Sequence, residues 1–135
     1  MFQLDQRLQS DCIFIGDFQL SKLLLMNDST YPWFILVPRL IDAAEVYQLE
    51  DVQQQQLWRE SAELSRWMAQ TFSFDKLNIG ALGNVVRQLH LHHVGRCVTD
   101  VTWPAPVWGQ HPPQPYRDAE IETIKGRADA GLIFS

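Results

Sequence analysis

The sequence has few cysteines, few basic residues and no long apolar run. Cys12 and Cys97 are its only cysteines, and their separation fits no metal-ligand or redox spacing. The 11 Lys and Arg against 16 Asp and Glu give a formal net charge of −5, which argues against a nucleic-acid surface because such surfaces need clustered cations. No apolar run approaches the roughly 18 residues of a membrane-spanning helix. The N-terminus lacks the features of a secretory signal, so a cytoplasmic location is expected.

The length and composition indicate one globular domain with an extension. The chain has 135 residues, of which 46% are hydrophobic and 20% charged, as is ordinary for a globular protein. This length builds one core but not two. We expect a domain over residues 1–102 and a Pro- and Trp-containing extension over residues 103–135 that packs on it. Prolines crowd the first part of this extension, which is therefore expected to run extended over the surface.

Apolar runs and turn residues predict an α+β fold. The predicted strands, of which the first two form a hairpin, cover residues 12–18, 21–26, 33–37, 76–80 and 88–96. The predicted helices are a short turn over residues 43–47, a long amphipathic helix over 51–72 and a short helix over 118–127. Asp51 and Gln54 match the spacing of a capping box at the start of the long helix. We expect a five-stranded antiparallel sheet with the long helix on one face and a ligand site on the other.

Three of the four histidines fall within one stretch of alternating polar and apolar residues. Because side chains alternate along a strand, Gln88, His90 and His92 are expected on one face and His93 on the other. Two neutral imidazoles about 6 to 7 Å apart can hold a phosphate group or a metal ion. A turn that contains Gly83 precedes the stretch, and its exposed backbone amides suit phosphate oxygens.

A metal site is the other interpretation of these histidines. His90 and His92 have a spacing that can ligate zinc, and His111 would be a third ligand. No Cys, Asp or Glu motif surrounds the pair, which favours phosphate over metal. Taken singly, a histidine on a strand is most often structural.

The stretch Gln88–Arg96, Gln-Leu-His-Leu-His-His-Val-Gly-Arg, resembles the signature of the histidine triad (HIT) family. Residues 76–86 resemble the strand and glycine turn that lead into the triad in this family, and Trp33–Pro38 resembles its earlier central strand. The resemblance runs in order over about residues 10–100. It implies a HIT-like fold and a nucleotide hydrolase or transferase that cleaves nucleoside phosphoramidates or dinucleoside polyphosphates at the α-phosphate.

The resemblance also implies roles for individual residues. His90, at the middle position, would attack the α-phosphorus and form a nucleotidyl-histidine intermediate, with a backbone carbonyl bonded to its Nδ1. His92 would contact the phosphate and help to protonate the leaving group. The implied nucleotide-binding positions are Asn27 near the ribose, and Asn78, Gly83 and Asn84 near the phosphates.

Two positions depart from the family pattern. Gln88 stands at the first triad position, and Trp33 replaces a histidine that usually precedes the central strand. Because a glutamine both donates and accepts, Gln88 is expected to take over the supporting role of the first histidine. The alternative is a non-catalytic nucleotide-binding regulatory module.

The expected partners also follow from the resemblance. It implies a homodimer whose two sheets join across a two-fold interface. The segment 103–115 would then lie near the site of its own or the partner subunit and shape the leaving-group pocket, or serve only as surface cover. The expected ligand is a small nucleotide, with neither nucleic acid nor membrane as a partner. The mechanism requires no cofactor, although polyphosphate substrates can bring a divalent metal.

Overall fold

The computed structural model describes residues 1–135. Its strands are β1 (Cys12–Asp17), β2 (Ser21–Met26), β3 (Trp33–Pro38), β4 (Lys76–Gly80) and β5 (Leu91–Arg96). Its helices are α1 (Gln6–Asp11), α2 (Asp51–Thr71) and α3 (Asp118–Gly131), with a 3₁₀ turn at Val46–Gln48. The strands form one antiparallel sheet in the order β1-β2-β3-β5-β4, which confirms the expected α+β fold. None of the helices combines the length and apolarity that crossing a bilayer requires.

Strands β3 and β5 are the centre of the sheet and are buried along their whole length. Each has a neighbour on both sides, and both faces are covered, so the usual alternation of buried and exposed residues is absent. In the register of this pair, Phe34 opposes His93, and Ile35 opposes His92. The pairing therefore places these two histidines in the interior, on opposite faces of one sheet.

Two hydrophobic cores lie on the two faces of the sheet. The larger one holds 16 buried residues and joins the sheet to α2 and α3, through residues such as Leu57, Leu64, Met68, Ile124 and Ala128. The apolar stripe of α2 is thus core packing, as predicted. The smaller one holds eight buried residues: Leu8, Leu24, Tyr31, Trp33, Ile35, Val37, Val94 and Val107. The second core contains no residue of α2 and covers the face on which the histidine pair lies.

Strand β5 begins at Leu91, and the prediction of a strand from residue 88 was wrong. Strand β3 pairs with it only as far as Leu91, and β4 only as far as His92. Residues 81–90 form the loop between β4 and β5, and the Leu89 N–H donates to the Ala43 carbonyl outside the sheet. His90 therefore lies one residue before the strand, because no ladder partner reaches it.

Helix α2 has a capping box one residue earlier than predicted. The Gln53 Oε1 accepts from the Glu50 N–H at 2.9 Å, whereas Gln54 donates to the Leu49 carbonyl. The sequence offers two overlapping acid–glutamine pairs, and the one that forms is Glu50 with Gln53. The capping box of Asp51 and Gln54 was therefore wrong, although the start of the helix was right.

The other differences lie at the ends of elements. The turn expected over residues 43–47 is the 3₁₀ turn at Val46–Gln48, and α3 continues beyond residue 127 to Gly131 because Ala128 is fully buried in the core. Helix α1 was not predicted. It has six residues, and Leu8 is its single buried side chain, so it shows no periodicity that a sequence pattern reveals.

The C-terminal segment crosses the face of the second core without forming a helix or strand over residues 103–117. Val107 is buried in that core. Further along, the Asn27 Oδ1 accepts from the Tyr116 N–H at 2.9 Å, and the Asp28 Oδ1 accepts from the Gln114 N–H at 3.2 Å. These bonds hold the segment of one chain over that same chain's sheet.

Two glycines provide a test of the packing. A Cβ on Gly95 in β5 would lie 2.7 Å from both Phe74 Cδ1 and Pro32 Cγ, whereas a Cβ on Gly126 in α3 would meet nothing within 4 Å. Gly95→Ala should lower the free energy of unfolding by about 1–3 kcal/mol through overpacking. Gly126→Ala should raise it by about 0.4–1 kcal/mol, since alanine has less freedom to lose on folding. Urea denaturation measures both, and equal effects would contradict this packing.

Candidate active site

His90 lies in the loop before β5 and is oriented by the backbone. Its Nδ1 lies 2.7 Å from the carbonyl oxygen of Gln88. A carbonyl oxygen only accepts, so Nδ1 carries the proton and Nε2 keeps a lone pair in the neutral ring. The expected backbone carbonyl is therefore that of Gln88. The ring has the tautomer that a nucleophile attacking through Nε2 needs.

His92 lies beside His90 with the opposite arrangement of protons. Its Nδ1 accepts a hydrogen bond from the indole Nε1–H of Trp33 at 3.0 Å. The proton of the neutral ring therefore lies on Nε2. The centroids of the two imidazoles are 4.8 Å apart, with an interplanar angle of 68°. One ring thus offers a lone pair and its neighbour offers an N–H, side by side on the same face of the sheet.

Burial keeps His92 neutral. The pKa of His92 is lowered to about 3, chiefly because burial disfavours the charged ring and further because His90 and His93 would repel it. No carboxylate forms a hydrogen bond or ion pair with this ring. His92 is therefore an uncharged hydrogen-bond donor at neutral pH.

His93 lies on the opposite face of β5, beneath α2. Its Nε2 is 2.7 Å from the Ser61 hydroxyl, and its Nδ1 is 3.1 Å from the Leu91 carbonyl oxygen. Burial lowers its pKa to about 4, against the opposing effect of the bond to Leu91. In the neutral ring Nδ1 donates to the carbonyl and Nε2 accepts from the hydroxyl. Strand alternation thus separates His93 from the other two histidines.

Two tryptophans enclose His92, and sequence reasoning gave neither of them a role in the site. The Trp33 and Trp108 ring centroids lie 5.8 Å and 5.3 Å from that of His92. The Trp108 Nε1 is buried and has no hydrogen-bond partner. Gly80 lies next to this indole, and a Cβ there would make an ordinary van der Waals contact of 3.5 Å with Trp108 Cη2. The signal in the sequence was Trp33 itself, at a position that departs from the family pattern.

A cavity of about 440 Å³ lies next to this cluster. Its wall includes Trp33, which also contacts His92, and Val107 and His111 from the C-terminal segment. Its polar lining is formed by Ser10, Asp11, Asn27, Asp28 and His111. This volume lies in the range of small-molecule sites, which hold about 300–1,000 Å³. The structure therefore brings Asn27 to a ligand-sized cavity that shares Trp33 with the histidine pair.

Comparisons with known proteins identify the family. The model of the HIT domain matches residues 7–98 of the sequence. The chain belongs to the histidine triad (HIT) family. No curated protein matches it.

Three solved structures of HIT proteins are similar to this chain over nearly its full length. A histidine triad protein from Bradyrhizobium japonicum has 42% identity and a TM-score of 0.95, with 98% of each chain covered. One from Sinorhizobium meliloti has 41% identity and a TM-score of 0.94, again with 98% of each chain covered. One from Marinobacter aquaeolei has 48% identity and a TM-score of 0.95, covering 98% of this chain and 96% of the other. The similarity includes the C-terminal segment outside the HIT domain match.

In this HIT protein, the side chain at the first triad position bonds to the N-terminal segment. The Gln88 Oε1 accepts from the Asp5 N–H, and the Gln88 Nε2 donates to the Gln3 carbonyl, both at 2.8 Å. Both ends of the amide are bonded away from the histidines. Gln88 contacts the pair through its backbone, whose carbonyl accepts from His90.

Asn78 belongs to a network around Arg96, which is 1% exposed. Its Oδ1 accepts from the Arg96 Nη1 at 3.0 Å, and Asp100 receives two further bonds from the same guanidinium. The bond to Arg96, against the opposing effect of burial, lowers the pKa of Asp100 to about 2. Tyr31 and Trp103 lie against the cation. Asp100 thus balances the charge of the buried cation, and the carbonyl of Asn78 accepts one of its hydrogen bonds and does not contact the histidine pair.

The remaining predicted residues lie in the loop between β4 and β5. Gly83 has a φ of +75°, a conformation that favours glycine, and it lines a crevice of about 10 Å³ with His90, which is about the space of one water. Asn84 is exposed. The structure therefore brings Gly83 close to His90 and leaves Asn84 at the surface.

The structure gives the metal interpretation no support. No group of three or more His, Cys, Asp or Glu side chains is arranged to hold a metal ion. His111 does not join the pair, because its Nε2 lies 3.0 Å from the Tyr31 hydroxyl and its Nδ1 donates to the Pro112 carbonyl.

The buried histidines make the stability depend on pH. When the pKa of a histidine is lower in the native state than in the unfolded state, only the unfolded state binds the proton at pH values between the two. The free energy of unfolding therefore falls as pH drops below about 6.5. Each such histidine contributes a slope of up to about 1.4 kcal/mol per pH unit. His93→Gln should remove its share of this slope between pH 6.5 and 5, whereas Ser61→Ala should retain it. Urea denaturation at several pH values gives the slopes, and an unchanged slope in His93→Gln would show that His93 takes up its proton in the folded state.

Proposed function

We propose that this protein binds a nucleotide and cleaves it at the α-phosphate through a covalent nucleotidyl-histidine intermediate on His90. The opposite tautomers of the two adjacent imidazoles are the observation that carries this proposal. His90 presents a lone pair at Nε2, and His92 presents an N–H. A phosphoryl transfer site needs a positioned nucleophile and a donor to the phosphoryl oxygens, and the pair supplies both.

The proposed reaction has two steps. The His90 Nε2 forms a bond to phosphorus while the bond to the leaving nitrogen or oxygen breaks, and the leaving group takes up a proton from solvent water. Water then attacks phosphorus, the N–P bond breaks, and a nucleoside monophosphate is released. The bond from Nδ1 to the Gln88 carbonyl stabilises the positive charge that the ring acquires in the first step. Dividing one difficult displacement into two is the advantage of a covalent intermediate.

The cavity of about 440 Å³ is the proposed nucleoside site. It shares Trp33 with the histidine pair, so a nucleoside there would direct its phosphate towards His90 and His92. The Asn27 Oδ1 accepts from the Tyr116 N–H. The Asn27 Nδ2 is therefore the atom left to donate to a ribose hydroxyl. Asp11, which also lines the cavity, supplies an acceptor for such a hydroxyl.

A second candidate function is nucleotide binding without turnover, as in a regulatory module. The observation that favours it is the bonding of Gln88, whose amide is committed to the N-terminal segment and therefore does not relay a proton to the pair. Calorimetry with AMP, together with an assay of adenylyl substrates, distinguishes the two functions. Binding of AMP with no hydrolysis of any adenylyl substrate would select the second.

The functional unit we propose is a cytoplasmic homodimer. Strand β4 is an edge of the sheet, so its outer backbone groups are free to pair with a second copy, and Ile79 on this strand is 45% exposed. Light scattering should give about twice the chain mass of 15.6 kDa. Ile79→Lys should give the mass of a monomer, because a lysine on an edge strand opposes pairing. A wild-type monomer at micromolar concentration would contradict the dimer.

The proposed mechanism is tested by replacing the nucleophile. His90→Ala should lower kcat with an adenosine phosphoramidate by several orders of magnitude, because the covalent route is lost. Acid quenching of wild-type protein with a labelled substrate should trap a nucleotide on the protein, and the adduct should be absent from His90→Ala. Gly126→Ala in helix α3 is the control, and it should keep both the turnover and the trapped adduct.

Two outcomes would contradict the mechanism. Full activity in folded His90→Ala protein would remove His90 from the reaction, and an adduct that persists in this variant would place the intermediate elsewhere. The proposal includes no resident metal, so turnover of a phosphoramidate should survive treatment with EDTA.

A further inference from the structure

We propose that Trp33 is a positioning residue that holds His92 in the tautomer with its proton on Nε2. His92 then acts on a substrate as a fixed hydrogen-bond donor. It is not the acid that protonates the leaving group. The part of this inference that concerns substrate rests on the proposed function. The part that concerns the tautomer stands on the structure of the free protein.

The hydrogen bond between these residues has only one possible direction. An indole nitrogen donates and never accepts, so the Trp33 Nε1–H donates to the His92 Nδ1 at 3.0 Å, and that nitrogen carries no proton. A second proton on His92 would have to bind at Nδ1 and face the indole N–H. Protonation therefore costs the bond to Trp33 in addition to the cost of burying a charge.

The position of Trp33 is fixed by the centre of the sheet. It is 7% exposed and begins β3, where it opposes Val94 of β5. His92 is two residues before Val94 on the same face, and such diagonal neighbours are within reach of a long aromatic side chain. Trp108 packs against the rings of both Trp33 and His92, with centroid distances of 6.5 and 5.3 Å. The indole thus has little freedom to move away from the imidazole.

The groups that act on the charge of His92 all oppose protonation. His90 and His93 are the titratable neighbours, and a charge on either repels one on His92. Arg96 is on the same face of β5 but is engaged by Asp100. Asp11, Asp28 and His111 line the cavity that Trp33 borders. None of these carboxylates bonds to His92, so nothing compensates an imidazolium there.

A bound phosphate does not reverse this argument. Its negative charge favours an imidazolium, but the phosphate contacts Nε2, which already carries a proton, whereas the added proton must enter at Nδ1. A neutral N–H donating to a phosphoryl oxygen leaves the indole bond intact. The proton required by the leaving group then comes from solvent water, and His92 contributes by stabilising charge on the transferred phosphoryl group.

Nitrogen-15 NMR of the histidine rings tests the tautomer in the unliganded protein. His92 should show a protonated Nε2 and an unprotonated Nδ1, unchanged from pH 8 to pH 5. His93 is an internal reference with the reverse pattern, since its Nδ1 donates to the Leu91 carbonyl. A proton on the Nδ1 of His92 in wild-type protein would overturn the proposal, whether or not the protein turns over a nucleotide.

Two variants assign the effect to Trp33. Trp33→Phe removes the donor, so His92 should populate both tautomers, its pH midpoint should rise by about one unit, and kcat should fall about five- to tenfold. Trp108→Phe is the matched control. It alters the other tryptophan that packs on the His92 ring but removes no hydrogen bond, so the tautomer should remain.

An unchanged tautomer and titration of His92 in folded Trp33→Phe would overturn the proposal. Loss of turnover in wild-type protein with the tautomer as expected would instead overturn the proposed function alone.

Discussion

The pairing of β3 with β5 is the constraint on which the rest of this structure depends. It places both strands at the centre of the sheet, where a core covers each face, so every side chain of β5 must be accommodated in an interior. His92 enters the core that faces the cavity, and His93 enters the one beneath α2. One register therefore creates the candidate site on one face and fixes the position of the long helix on the other.

Three imidazoles are buried without acidic partners, so their ring nitrogens need other hydrogen-bond partners. A buried polar atom without a partner costs on the order of 1–3 kcal/mol. Carbonyl oxygens of Gln88 and Leu91 accept from the Nδ1–H of His90 and His93, while the Trp33 indole donates to the Nδ1 of His92. The difference between the two histidines of the pair follows from this difference in partners. Chemical asymmetry between two identical side chains thus arises from one carbonyl and one indole.

The sequence was sufficient to predict the parts that depend on periodicity. Alternation along residues 88–96 correctly separated His93 from the pair, and the helical stripe correctly placed α2 in the core. The strand end at Leu91 was beyond reach because it depends on where β3 and β4 stop pairing. The bond from Trp33 to His92 joins residues 59 apart in the chain, and no local pattern reports it. Likewise, the partners of Asn27 and Asn78 were hidden because they lie on distant segments.

The glutamine at the first triad position has different consequences for the orientation of His90 and for proton transfer. The interaction that orients His90 comes from the backbone carbonyl of residue 88, which any side chain at that position leaves in place. The glutamine amide stabilises the N-terminal segment instead, through Gln3 and Asp5. Replacing a histidine there removes a titratable group from the neighbourhood of the pair, but it does not remove the bond that directs the Nε2 lone pair. The orientation of His90 is therefore preserved by a backbone group on which the substitution has no effect.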